Sequence, residues 1–265
     1  MNTWLHLIKK EFHLGKGMLY GAMIATIIIT SLSYILTESY FGIGLSHVSM
    51  TALFLMAFHI LFLLGYFYHS MQKENLHVWL HNTLPGYALL GAKLVAGLIS
   101  MFISLLFTSL FIFIPILLGL VELPLNEIFA LNVTQIMAMF LFMLFQFTIS
   151  MTIVLLFFYI LYLLFKKYLK PTLSFIVSAV LFVTSMYFYG ELTETAFFQT
   201  LTQWGYVSQT IQFGEFNFSF DQTGLEMSGA NTEVSLYVGD FVIQGILLII
   251  LFATSSWILD RKLEV

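Results

Sequence analysis

LVAGLISMFISLLFTSLFIFIPILLGL, residues Leu94–Leu120, decides the fold, because it runs without one Lys, Arg, Asp or Glu. The hydrocarbon core of a bilayer is roughly 30 Å thick, so a helical span needs about 20 apolar residues. Five further runs have this character: Met18–Leu36, Val48–His69, Val133–Phe165, Leu173–Gly190 and Tyr237–Leu259. In lipid every backbone polar group needs an internal partner, so these runs predict helices. The rest of the composition agrees. Hydrophobic residues make up 60% of the 265 and charged residues only 9%, too few to cover a soluble domain. The expected fold is therefore an all-α integral membrane protein with six transmembrane helices, forming one transmembrane domain over residues 1–265.

Orientation follows from the bases. Lys9, Lys10 and Lys16 precede the first span. Lys73 and Lys93 lie between the second and third, and Lys166, Lys167 and Lys170 between the fourth and fifth. Arg261 and Lys262 follow the sixth, which completes the 10 Lys and Arg of the chain. The other three connections hold none. Basic segments stay cytoplasmic, so both termini are expected inside a cell membrane crossed several times. Glu38, Glu122, Glu127, Glu191, Glu194, Glu215, Asp221, Glu226, Glu233 and Asp240 fall outside. Such an outer face could attract cations, although acids are simply tolerated where bases are excluded. The N-terminal region lacks a small-residue cleavage site after its apolar run and is not read as a cleavable signal.

Three connections carry further patterns. Residues 1–17 predict an amphipathic interfacial helix, with Trp4, Leu5, Leu7, Ile8, Phe12 and Leu14 on one half and His6, Lys9, Lys10, His13 and Lys16 on the other. Glu11 is the exception on the apolar side. In the cytoplasmic connection 71–93, Gln72–Leu84 predicts a short helix, with Leu76, Trp79, Leu80 and Leu84 in one stripe and Glu74, His77, Val78 and His81 opposite. Pro85-Gly86 ends it. The external connection 191–236 predicts a small subdomain: a short helix within Ala196–Phe213, then a strand where Phe216, Phe218 and Phe220 alternate with Asn217, Ser219 and Asp221. A turn at Ser228–Asn231 would close a hairpin.

Within the spans, Ala92, Ala96, Ser100, Ser104 and Thr108 recur at four-residue spacing, which is a helix-packing stripe. His59, Gln146 and Gln244 are polar groups at depth, candidates for function but more simply for bonds across helices. Pro115 should kink the third span, and Pro171 suits the first turn of the fifth. The fourth run is either one strongly tilted helix or a helix with a separate outer segment. Several chemistries are excluded. Cysteine is absent, so no thiolate nucleophile, thiolate metal site or disulfide exists. His77 and His81 share a face without a third ligand, so no metal site is expected. Gly15-Lys16-Gly17 is not a phosphate loop, and no catalytic set appears, so the chain is not expected to be an enzyme.

Taken together, four features resemble the permease subunit of type-2 ATP-binding-cassette exporters over essentially the whole chain. These are the helix Trp4–Leu14, the loop Lys73-Glu74 … Leu84-Pro85 … Leu90-Gly91-Ala92-Lys93-Leu94, the long outer connection, and the ending Leu259-Asp260-Arg261-Lys262-Leu263-Glu264-Val265. The resemblance implies a bacterial protein whose two membrane subunits, identical or related, form a pore in membrane lipid above two separate ATPase subunits. Those partners, not this chain, would bind Mg-ATP, and no nucleic acid is involved. It implies that Glu74, Leu76, His77, Val78, Trp79, Leu80, His81 and Leu84 couple to the ATPase. It further implies that His59, Phe62, Tyr66, Phe182, Ser185, Met186 and Tyr189 line the path of an amphiphilic, peptide, lipid-like or drug-like cargo. The rival readings are a non-transporting membrane partner or immunity protein, an ion-coupled transporter or channel, and a membrane-embedded enzyme.

Overall fold

A computed structural model describes residues 2–41, 44–73, 84–118, 133–207, 212–214, 217–221, 224–228, 231–233 and 236–263. Its helices are α1 (Asn2–Phe41), α2 (Gly44–Phe58), a 3₁₀ turn (His59–Leu61), α3 (Phe62–Lys73), α4 (Gly86–Leu117) and α5 (Val133–Lys166). They continue with α6 (Pro171–Glu194), α7 (Ala196–Thr202) and α8 (Val238–Ile258), which ends in a π turn over Leu259–Leu263. Six stretches are long and apolar enough to cross a membrane: Trp4–Ser39, His47–Met71, Gly86–Pro115, Ala138–Lys166, Pro171–Glu194 and Val238–Arg261. The chain divides into two compact units, residues 1–167 with 252–265, and residues 168–251.

The first unit holds α1 to α5 and the C-terminal turn around a core that includes Leu63, Leu90, Ala92, Ala96, Met101 and Ile160. Its first element departs from expectation. The interfacial helix 1–17 and the span 18–36 are one continuous helix of 40 residues, about 60 Å long at ~1.5 Å per residue. Leu7, Glu11, Gly15 and Leu19 are all buried, four residues apart, while Trp4 and Leu5 are 41% and 60% exposed. The buried stripe is thus set by packing on the other spans, and it extends from the expected interfacial segment into the membrane. Gly15 is required there by close approach: a Cβ at this position would overlap the ring of Tyr66 on α3.

The second span is interrupted midway by the 3₁₀ turn, a tightening that periodicity does not reveal. The third-span helix begins at Gly86, with the Pro85 carbonyl accepting from Ala88 N–H at 2.8 Å. Lys93 therefore lies inside a helix rather than at the mouth of a loop. Pro115 sits within α4, two residues before its end. The fourth run is a single helix of 34 residues, longer than a bilayer is thick, so it tilts or projects.

The second unit contains α6, the N-terminal part of α8, α7 and an antiparallel ribbon. Pro171 opens α6. Thr195 caps α7, its hydroxyl accepting from Phe198 N–H at 3.3 Å, and α7 ends at Thr202, well short of Phe213. Gly205, at φ +66, then turns the chain into the ribbon. Strands β1 (Tyr206–Val207), β2 (Gln212–Gly214), β3 (Asn217–Asp221), β4 (Gly224–Ser228), β5 (Asn231–Glu233) and β6 (Leu236–Tyr237) pair as β1·β6, β2·β5 and β3·β4. The Phe218 and Phe220 strand is present, pairing with Met227 and Leu225. Within this pair Asp221 stands opposite Gly224, and of the expected turn residues Ser228 ends β4 and Asn231 begins β5. Gly214 pairs with Asn231 and Asn217 with Ser228, so Ser228 and Asn231 are strand residues, and Gly229 and Ala230 lie outside the described residues.

Candidate functional site

The most unusual chemistry in the first unit is a buried ion pair. Lys93 Nζ, on α4, lies 2.5 Å from Glu11 Oε2 on α1, and both side chains are fully buried. Lys93 also donates to Ser70 Oγ on α3 at 2.9 Å, and Ser70 donates to Glu11 Oε2 at 3.3 Å. One helical turn earlier on α3, Tyr66 OH donates to the Glu11 backbone carbonyl at 2.8 Å. Three helices thus meet at one charged triad. A buried charge is tolerated only when paired and hydrogen-bonded, and desolvation cancels much of the attraction. Such a pair therefore specifies an arrangement more than it adds stability. Here it fixes the N-terminal helix to both helices that flank residues 74–83.

A second polar contact closes the same region. The Gly86 N–H, at the unsatisfied start of α4, donates to Asp260 Oδ1 at 2.6 Å. A carboxylate at a helix N-terminus accepts an orphan donor and complements the helix dipole. A Cβ on Gly86 would sit 2.7 Å from that oxygen, so the glycine permits the approach. The described residues on either side of positions 74–83 are consequently held: Ser70 before them, and Gly86 and Lys93 after them.

No family model, curated protein or solved structure matches this chain.

Of the expected coupling residues, Glu74, Leu76, His77, Val78, Trp79, Leu80 and His81 lie outside the described residues. Leu84 is half-buried against the core. Of the expected path-lining residues, His59, Phe62 and Tyr66 are buried inside the first unit. His59 Nδ1 bonds the Leu55 carbonyl and Nε2 bonds Ser104 Oγ, each at 3.0 Å, and Phe62 stacks on its ring at 5.9 Å. Phe182, Ser185, Met186 and Tyr189 belong to the second unit; Phe182 is half-buried and the other three are exposed.

Ala92, Ala96, Ser100, Ser104 and Thr108 are fully buried. Ser100 and Thr108 donate to the carbonyls one turn back, Ala96 O at 2.9 Å and Ser104 O at 3.0 Å. Thr108 also meets Thr26 of α1 at 3.5 Å. Beside the stripe, a Cβ on Gly97 would lie 2.5 Å from Leu63 of α3. This face therefore packs within one chain, against α1 and the second span.

Among the described residues no group of three or more His, Asp or Glu is placed to hold a metal. Ser70 carried no signal in the sequence, and Lys93 and Asp260 entered there only as charge-bias or motif residues, not as partners of Glu11 and Gly86. Glu11 did carry a signal, as an acid on an otherwise apolar helix face.

Proposed function

We propose that this chain is the membrane-spanning subunit of an ATP-driven exporter, working as a dimer with separate ATPase subunits. Both termini and the connection 71–93 lie in the cytoplasm. The cargo is an amphiphilic, peptide, lipid-like or drug-like molecule. The observation that carries this reading is the tying together of the helices that precede and follow residues 74–83. A segment that receives force must have rigid attachments, or its motion is lost in local bending. Here the Glu11–Lys93–Ser70 triad and the Asp260–Gly86 contact fix both attachments. A push on the segment would thus reach α1, α3 and α4 together.

The positive-inside bias supports the sidedness. The lack of a phosphate-binding loop supports an ATPase on another chain. An ion-coupled mechanism finds less support, because His59, the polar ring at mid-span, has both nitrogens bonded within the chain. Trp79→Ala and Leu80→Asp test the coupling. A buried aromatic anchor contributes ~2 kcal/mol or more at an interface, so either variant should insert normally but lose cargo-stimulated ATP hydrolysis in lipid. Full coupled hydrolysis in both would remove this segment from the mechanism.

A further inference from the structure

The second unit contains a cavity of about 330 Å³ between α6, α7, α8 and the start of the ribbon. That is the lower end of the range for small-molecule sites, ~300–1,000 Å³. Its walls include Tyr189, Phe198, Tyr237, Asp240 and the amides of Gln199 and Gln203. Tyr189 and Phe198 meet edge to face, with ring centroids 6.2 Å apart and planes at 84°. This leaves an aromatic corner beside one carboxylate. We propose that this cavity binds an organic ammonium group, held between the Asp240 carboxylate and the aromatic faces.

Charge argues for a cation. Residues 171–260 contain no Lys, Arg or His, but they include Glu191, Glu194, Glu215, Asp221, Glu226, Glu233 and Asp240. No basic side chain of this segment can neutralise Asp240. Among the described residues none bonds its carboxylate. The kind of cation follows from the walls. Calcium takes 6–8 oxygen ligands, usually from several carboxylates. Among the described residues this cavity offers one carboxylate, and no cluster of three acidic or histidine ligands occurs. An ammonium group instead suits aromatic faces, which attract it through the ring quadrupole. The glutamine amide oxygens can accept any N–H it carries. The ammonium can come from a lipid headgroup or from a free amine in water.

The test uses the full chain in nanodiscs of phosphatidylglycerol, titrated calorimetrically with choline and with 3,3-dimethylbutan-1-ol, its uncharged carbon isostere. Choline should bind at least ~10-fold more tightly than the alcohol. Asp240→Asn should weaken choline about 10-fold without changing the alcohol. Tyr189→Leu, at a partly exposed site where folding is not at stake, should weaken choline about threefold. Adding phosphatidylethanolamine separates the sources: weaker apparent choline binding identifies a lipid headgroup as occupant, and unchanged binding identifies a free amine. Equal affinity for choline and the alcohol would overturn the proposal. So would wild-type choline affinity in both variants, or displacement of choline by stoichiometric calcium chloride. Nanodiscs expose both membrane faces, so these outcomes do not depend on sidedness or on the exporter reading.

Discussion

Breaking the Glu11–Lys93 pair should destabilise the chain far more than removing both charges. In Lys93→Met the Glu11 carboxylate stays fully buried, with Ser70 as a remaining donor 3.3 Å away. Loss of one partner from a buried pair costs about 3–5 kcal/mol. At roughly 2–4 °C per kcal/mol for a domain of 150–250 residues, the melting temperature should fall by about 6 °C or more. Glu11→Leu alone strands the ammonium and should cost a similar amount. The double variant Glu11→Leu/Lys93→Met replaces the pair with apolar groups of comparable volume and should lie within about 1–2 kcal/mol of wild type, because the desolvation penalty is also removed. Thermal unfolding of the four proteins in one detergent completes the double-mutant cycle. If Lys93→Met and Glu11→Leu each melted within about 1 °C of wild type and simply added, the two charges would be solvated rather than paired. The three-helix junction would then not exist.

Further outcomes follow from individual contacts. Gly15→Ala should lower the melting temperature, since its Cβ overlaps Tyr66, whereas Gly21→Ala, with nothing within 4 Å of the new Cβ, should raise stability by about 0.5–1 kcal/mol; equal effects in unfolding scans would argue against the α1–α3 contact. Ala96→Leu or Ser100→Leu should cost about 1–3 kcal/mol by overpacking a fully buried seam. Ile99→Ala, at a 43% exposed neighbour, should cost less in the same scans. In intact cells an impermeant thiol reagent should label Glu215→Cys but not Lys73→Cys, and the reverse would invert the topology.

The six spans were legible because a bilayer demands a length and composition that few other environments do. Val133–Phe165 and the helix Val133–Lys166 differ by one residue, and Leu173–Gly190 sits inside Pro171–Glu194. The small-residue stripe was visible as spacing, although its partners on α1 and the second span were not. What a single sequence withheld was pairing at long range. Glu11 and Lys93 are separated by 82 positions, as are Thr26 and Thr108, and no local periodicity joins them. The same limit hid the tightened turn at His59–Leu61, whose ring partner Ser104 is on another helix. Hydrophobicity also did not reveal which side of the N-terminal helix packs inside the protein. Trp4 and Leu5 share the apolar half with Leu7, yet the side buried within the protein is the Leu7, Glu11, Gly15 and Leu19 stripe. Alternation found β3, but the Ser228-Gly229-Ala230-Asn231 turn signal hid the pairing of Ser228 with Asn217 and of Asn231 with Gly214.

The most direct test of the exporter reading is affinity purification of the tagged wild-type chain from its native membrane, followed by measurement of ATP hydrolysis in lipid. An ATPase should co-purify, with hydrolysis that depends on this chain and binding that weakens in Trp79→Ala. An intact, folded wild-type chain that carries no ATPase and no associated hydrolysis would contradict that reading.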